Sequence, residues 1–224
     1  MNFRYPIFLD IAGKKCLVTG EGQEIAAKIQ ALVDASANVR YVNPRAQPNI
    51  QAPAEAGLIE WQARDFEPGD LSDCFLAISD RDDNSEVFRL AEENRVLCNC
   101  VDDPENCRFS FGSVHRQGDL TIGISTNGWA PALAVRLRQM LERDIGPEYG
   151  ALLELLKEVR PEITSRIPDF AARRELWYRI VDSDVLQMLR AGKTDRGAAN
   201  IRQMIEAAVS STSHFGISAD DADH

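Results

Sequence analysis

No stretch of this chain stays apolar for the roughly 18 residues that a membrane-spanning helix needs, so no passage through a membrane is expected. The opening MNFRYPIFLD carries too short an apolar run for a secretory signal, and a cytoplasmic protein is the expectation. Paired cysteine motifs are missing as well. The five cysteines, Cys16, Cys74, Cys98, Cys100 and Cys107, include no C-x-x-C spacing, and their odd number argues against a disulfide framework. Joining Cys98, Cys100 and Cys107 to His115 makes no closed zinc spacing, so no resident metal is expected and the thiols read as small buried hydrophobes. Positive charge is in deficit. Lys and Arg number 25 against 35 Asp and Glu, a formal net charge of −10 that excludes general nucleic-acid binding with its basic footprint. A local arginine cluster can still capture an anionic ligand at close range.

What is present is a globular composition: 44% hydrophobic and 27% charged over 224 residues, enough for one large domain or two small ones. Between residues 15 and 100, short apolar runs alternate with helical patterns. Strands are expected over Cys16–Thr19, Val39–Val42, Leu58–Gln62, Cys74–Ile78 and Val96–Val101, with helices over Gln23–Ala35 and Ser85–Glu93. Such alternation implies an α/β fold with a Rossmann-like parallel sheet covered on both faces. Asp119–Ser125 then alternates with period two, as a strand with one exposed or partner-covered face, and a lone strand of this kind would seek a partner sheet. Helices are expected at Pro131–Arg143, from Tyr149 onward, and at Phe170–Val181, Val185–Ala191 and Ala198–Val209. The end of the chain is small, polar and acidic. The expected divisions are 1–113, 114–147, an all-helical 148–210 and a disordered tail at 211–224.

The segment Lys15–Lys28, KCLVTGEGQEIAAK, carries the most chemistry. An apolar run enters a turn with Gly20 and Gly22 and leaves on a helical pattern, as a dinucleotide-binding βαβ unit begins. The first glycine permits the turn; the second removes a side chain so that backbone N–H groups can reach a pyrophosphate, aided by the helix N-terminus. The third position of the fingerprint wants a small residue and holds Ile25, so an ordinary strand–turn–helix stands as the alternative. About 20 residues on, where an acid often reads the ribose hydroxyls, stands Asn43, followed by Pro44 and flanked by Arg40 and Arg45, which leaves NAD versus NADP open. Asp102 ends the Val96–Val101 strand, on the side where open α/β sheets bind ligands, and a carboxylate there can take a proton. The plainer reading is that Asp102 or Asp103 closes a turn before Pro104. Ser79, Asp80 and Asn84 follow another strand, and a helix cap by Asp83 or Asn84 competes with any ligand role.

These elements arrive in a fixed order: YPIFLDIAGKKCLVTGEG, ALVDASANVRYVNP, FLAISDRDDN, then LCNCVDDPENCRFSFGSVHRQGDLTIGISTNGWAPALAVRLRQMLE. Together they resemble the precorrin-2 dehydrogenase / sirohydrochlorin ferrochelatase family, which makes the last steps of siroheme. The similarity runs from about Tyr5 to Leu141 and continues more weakly through the helical region, with NCVDDP and ISTNGWAPALA the most specific segments. The methyltransferase domain fused to this module in bifunctional siroheme synthases has no counterpart in the sequence, so a standalone module is expected.

The resemblance implies a dinucleotide-binding domain, a dimerisation segment at 114–147 within an intertwined homodimer, and a small helical domain. It implies NAD-dependent oxidation of precorrin-2 to sirohydrochlorin, with Fe²⁺ as a further substrate in those members that go on to siroheme. Asp102 aligns with the catalytic aspartate. The cofactor falls to Gly20, Glu21, Gly22, Gln23, Glu24, Ile25, Asn43, Pro44, Ser79 and Asp80. The tetrapyrrole's carboxylates fall to Arg108, His115, Arg116, Ser125, Thr126, Asn127 and Arg136, with Arg138 a further candidate. Departures from the family pattern are Glu21 for a glycine, Ile25 for a small residue, Arg81 for an acid, Asn127 for a glycine and Ala130 for a serine. Trp129 covers the ligand's ring face or packs at a dimer interface. Two rivals stand beside this reading: a chelatase-only relative that binds no dinucleotide, motivated by Glu21 and Ile25, and a non-catalytic tetrapyrrole-binding regulator on the same scaffold. A generic oxidoreductase is disfavoured, because no Tyr-x-x-x-Lys pair follows Val101.

Overall fold

Alternating apolar residues decide the first half of the chain. A computed structural model describes residues 5–215, with side chains to Ser211. In β1 (Lys15–Gly20), Cys16 and Val18 point to one face and Leu17 to the other, and all three are fully buried, as a central strand of a doubly covered sheet requires. The chain continues through α1 (Gln23–Asp34), β2 (Asn38–Val42), α2 (Pro48–Glu55), β3 (Ile59–Gln62), β4 (Leu76–Asp80), α3 (Ser85–Glu93) and β5 (Leu97–Cys100). All five strands pair in parallel, in the order β3-β2-β1-β4-β5. Ile25, Ile29 and Leu32 of α1 and Ile50 of α2 cover the face carrying Cys16, Val18, Val39 and Ile78. Val87, Leu90 and Ala91 of α3 cover the face carrying Leu17, Ala77, Cys98 and Cys100. The α/β, Rossmann-like sheet expected from the sequence is therefore present. Helix α2 has no expectation behind it, because Pro48 and Pro53 blur its short helical pattern.

After Phe111 a second compact unit begins. It holds β6 (Ser113–Gln117), β7 (Leu120–Ile124), α4 (Pro131–Asp144), α5 (Pro147–Arg166), α6 (Phe170–Val181), α7 (Val185–Arg190) and α8 (Thr194–Phe215). The strand expected to stand alone does not: β7 pairs antiparallel with β6 of the same chain, Gln117 opposite Leu120. A two-residue turn joins them, with Gly118 at φ +58 supplying the left-handed residue that a tight hairpin needs. α5 lies close to this hairpin through Gly150, where a Cβ would sit 2.9 Å from the Gln117 carbonyl oxygen. Leu152, Ile163, Leu176, Ile180, Val185, Ile201 and Ile205 make a separate core among the last four helices. Of the tail expected at 211–224, α8 carries the chain to Phe215, and 216–224 lie outside the described residues.

The order β2-β1-β4 makes β1 the point from which the chain winds both ways. A crevice opens beyond the carboxyl ends of β1 and β4 at such a switch. Gly20 and Asp80 are register partners there. A Cβ on Gly20 would fall on the Asp80 carbonyl oxygen and lie 2.8 Å from both its carbon and its Cβ, and Gly20 has φ +114. Gly20→Ala is therefore expected to destabilise the protein by at least about 2 kcal/mol, from overpacking plus a strained backbone. Thermal or urea unfolding measures it; an unfolding midpoint equal to wild type would show that the two strands meet with more slack.

Candidate active site

Four strand ends and one helix start build the site. β1 delivers Gly20, and the turn through Glu21 to Gly22 hands the chain to α1. Gly22 is the N-cap at φ +101, it contributes no side chain to the cap, and a Cβ there would meet nothing within 4 Å. The first-turn N–H groups of Gln23, Glu24 and Ile25 thus have no side-chain cap, a donor set suited to an anion. This is the cradle that a dinucleotide's pyrophosphate requires, and the residues present fit it. Ile25 contributes its backbone alone, since its side chain is wholly buried in the core.

The β2 end is braced from several sides. The Tyr41 hydroxyl, buried, lies 2.8 Å from the Gly20 carbonyl and 3.1 Å from that of Arg45. Burial, followed by the negative charge of Glu21, pushes its pKa up to about 12. Asn43 donates its amide N–H to Arg45 O at 2.7 Å and to Glu21 Oε1 at 3.2 Å, while Trp61 Nε1 donates to the Asn43 carbonyl at 3.0 Å. Neither Tyr41 nor Trp61 has a site role in the sequence reading. The signal was available: an aromatic with a polar tip on an inward strand position needs a buried partner.

β4 and β5 supply the acids. Asp80 is half-buried, and its carboxyl is held above the ordinary carboxylate range by burial first, then by the charges of Glu24 and Asp102. Asp102 is exposed, just past β5, with φ +53. Its neighbours take the structural work. Val101 N–H donates to Ser79 O at 2.8 Å, Asn106 donates to Asp103 Oδ2 at 2.7 Å, and the Cys107 thiol meets the backbone N and O of Cys100 at 3.2 and 3.1 Å. The turn-forming acid is Asp103, which leaves Asp102 displayed on a fastened loop. Among the described residues, no group of three or more His, Cys, Asp or Glu is placed to hold a metal ion.

Other residues singled out from the sequence have local structural partners of their own or stand exposed. Ser79 is fully buried and donates to Asn84 Oδ1 at 2.7 Å; that same oxygen accepts Arg81 N–H at 3.2 Å, so the pair braces the turn after β4. Asp83 accepts the Ser85 N–H at 2.9 Å. Pro44 is exposed after Asn43. Arg108 is drawn to Glu92, Nε to Oε1 at 2.9 Å, and lies 4.7 Å over the Phe88 ring. In the second unit, His115 is 3% exposed and its Nε2–H donates to the Ile145 carbonyl at 2.8 Å, which makes it a strut between β6 and the end of α4. Arg116 and Arg136 are exposed. Ser125, Thr126 and Asn127 form a turn ahead of α4, with Asn127 at φ +53, Asn127 N–H on Ser125 Oγ at 3.2 Å and Ala130 N–H on Thr126 Oγ1 at 3.3 Å. Burial pushes the Cys16 thiol up to about 11, and the Cys98 contact and burial raise that of Cys100, so these are inert core groups.

Three family models match successive segments. Residues 7–113 match a putative NAD(P)-binding family, 117–144 the sirohaem biosynthesis protein central region, and 148–205 the sirohaem synthase dimerisation region. The chain is 34% identical over 208 residues to siroheme synthase 1 of Pectobacterium atrosepticum, covering 92% of this chain and 43% of that protein. It is 33% identical over 192 residues to the siroheme synthase of Actinobacillus pleuropneumoniae, covering 84% and 39% respectively. The chain thus spans less than half the length of these relatives. A solved structure described as "SirC, precorrin-2 dehydrogenase" superposes with a TM-score of 0.74 over 89% of this chain and 100% of its own, at 22% identity, and so shares the fold.

The raised carboxyl of Asp80 has a consequence for stability. The folded protein binds that proton more tightly than the unfolded chain does, so ionising Asp80 works against folding above the unperturbed value of 3.8. Asp80→Asn, of equal size, is expected to raise the melting temperature at neutral pH, with the gain shrinking as the pH falls towards 3.8. Calorimetric melts across that range check it. A gain that persists unchanged in acid would have another origin.

Proposed function

We propose that this chain, which belongs to the siroheme synthase family, catalyses the NAD-dependent oxidation of precorrin-2 to sirohydrochlorin. One observation carries the proposal: within a single compact unit, an uncapped glycine-turn cradle and an exposed aspartate stand at the carboxyl ends of β1 and β5, the two strands that flank β4. The nicotinamide, when bound, accepts the hydride. Asp102 takes the proton left behind on the macrocycle, and its exposed carboxylate on a fastened loop is suited to that exchange. Asp80, whose carboxyl is held above the ordinary range by burial and by the charges of Glu24 and Asp102, stands at the end of β4 between these two parts. The N–H groups of the α1 first turn hold the pyrophosphate, and Gly20 and Gly22 keep the approach open.

Within the first unit, Arg108 is assigned to a carboxylate of the macrocycle once it exchanges Glu92 for substrate; within the second, the exposed Arg116 and Arg136 and the turn Ser125–Asn127 are assigned to groups of the same kind. His115, being buried, serves the substrate only by holding β6 in place. The proposed division of labour is a dinucleotide domain at 1–113, a dimerisation segment at 114–147 and a helical domain at 148–210. A homodimer accounts for the uncovered side of α4, where Leu133, Leu137 and Met140 are 53%, 38% and 43% exposed, and for Trp129 at 85%. The same Asp102 can accept the pyrrole N–H protons released if Fe²⁺ enters the ring as a substrate. Among the described residues no helix is long and apolar enough to cross a membrane, and a cytoplasmic site of action is part of the proposal.

One observation favours a second reading, a chelatase without a dinucleotide: Glu21 and Glu24 bring two acidic side chains to the loop that would hold phosphates. Incubation of the purified protein with precorrin-2 and NAD⁺, followed by absorbance and repeated with Fe²⁺, separates the readings. NADH and sirohydrochlorin are expected to appear together. Metal insertion into sirohydrochlorin without any NAD⁺-dependent step would select the chelatase, and binding without turnover a regulator.

Asp102→Asn is the sharpest substitution. Asparagine tolerates the left-handed backbone at φ +53, whereas alanine there would add about 1 kcal/mol of strain and confuse fold with chemistry. The variant is expected to lose at least about a hundredfold in kcat while keeping the wild-type melting temperature. Wild-type turnover would remove Asp102 from the mechanism.

A further inference from the structure

In a dinucleotide-binding sheet, an acidic side chain near the end of the second strand, about 20 residues past the glycine loop, commonly accepts hydrogen bonds from the adenosine ribose. Here that place belongs to Asn43, which is neutral, 8% exposed and tied through its side-chain N–H groups and its main chain. Its amide N–H groups are given to Arg45 O and Glu21 Oε1, at 2.7 and 3.2 Å. Its main-chain N–H donates to Gln62 O at 3.2 Å, and its carbonyl accepts from Trp61. A side chain pinned in this way does not turn outward to a ligand. What it presents instead is the exposed carboxylate of Glu21, drawn across from the glycine loop to the tip of β2.

We propose that Glu21, positioned by Asn43, is the carboxylate that reads the adenosine ribose and makes this protein select NAD over NADP. The inference rests on the dinucleotide reading above and adds the basis of selectivity. A carboxylate at the strand tip accepts hydrogen bonds from a free ribose diol. It repels a 2′-phosphate, whose charge would be brought within a few ångströms of it. Glu21 also lies close enough to the Tyr41 hydroxyl to add to the effect of burial in raising its pKa. Of the flanking cations, Arg40 is held by Glu60 at 3.3 Å on the neighbouring strand. Arg45 is exposed beside the tip and would welcome a 2′-phosphate once the Glu21 charge were gone. The residue that departs from the glycine-rich pattern thereby takes over a task that β2 itself leaves undone.

Titration calorimetry of the full chain with NAD⁺ and with NADP⁺ tests this, on the wild type and on Glu21→Gln. Glutamine keeps an acceptor for Asn43 and removes only the charge, at an exposed position, and a thermal melt confirms that the variant is folded. The wild type is expected to bind NAD⁺ at least about tenfold more tightly than NADP⁺, and Glu21→Gln to lower that ratio to about threefold or less, chiefly by tightening NADP⁺. Equal affinities in the wild type, or a ratio unchanged in Glu21→Gln, would overturn the role of Glu21 and leave the dinucleotide reading standing. A wild type that binds neither nucleotide would overturn both.

Discussion

The approach of two backbones at Gly20 and Asp80 governs the geometry of everything functional in the first unit. At their carboxyl ends β1 and β4 can approach this closely because residue 20 has no side chain and can take a positive φ. That contact sets how far β4 extends past the loop, and hence where Asp80 ends up. The next step is a main-chain hydrogen bond, Val101 N–H to Ser79 O, which ties the end of β5 to β4 and places Asp102 beside Asp80. Tyr41 works from the other side by placing its hydroxyl against the Gly20 carbonyl. The positions of loop, cradle and acids therefore descend from one missing Cβ.

Electrostatically the crevice holds two opposed tendencies. The start of α1 offers unpaired N–H donors and the positive end of a helix dipole, while Glu21, Glu24, Asp80 and Asp102 bring negative charge to the same neighbourhood. The structure separates them. Glu24 is paired with Lys28 at 3.3 Å, Asp80 holds its proton more tightly than usual, and Glu21 is led away to β2 by Asn43. Asp102 stays exposed to solvent. An acidic chain can thus keep an anion-accepting loop, because the carboxylates near it are neutralised, diverted or displaced along the sheet edge.

Much of this is legible in the sequence, for physical reasons. β1, β4 and β5 are buried on both faces and so leave uninterrupted apolar runs, and α3 declares its bounds by amphipathic spacing. Gly20, Gly22 and Asp102 stand out because turns and strand ends restrict residue types strongly. β6 escapes notice because its alternation is broken by Arg116 and by an inward His115 that acts as a strut, so β7 reads as unpartnered. Ser79 reads as a ligand because a hydroxyl after a strand is common in sites, yet only the coordinates reveal that Asn84 accepts its proton. The bond between Glu21 and Asn43 spans 22 positions in the chain, and no local pattern announces a contact of that range.

The left-handed backbone at Asp102 narrows the evolutionary choices at that position. Glycine, asparagine and aspartate occupy such a conformation most readily, and among them aspartate alone carries a charge at neutral pH. Drift away from the acid is thus channelled towards two residues that preserve the turn while silencing the proton acceptor. A descendant that has lost its chemistry through this position would still fold, and would still look, in outline, like its working ancestor.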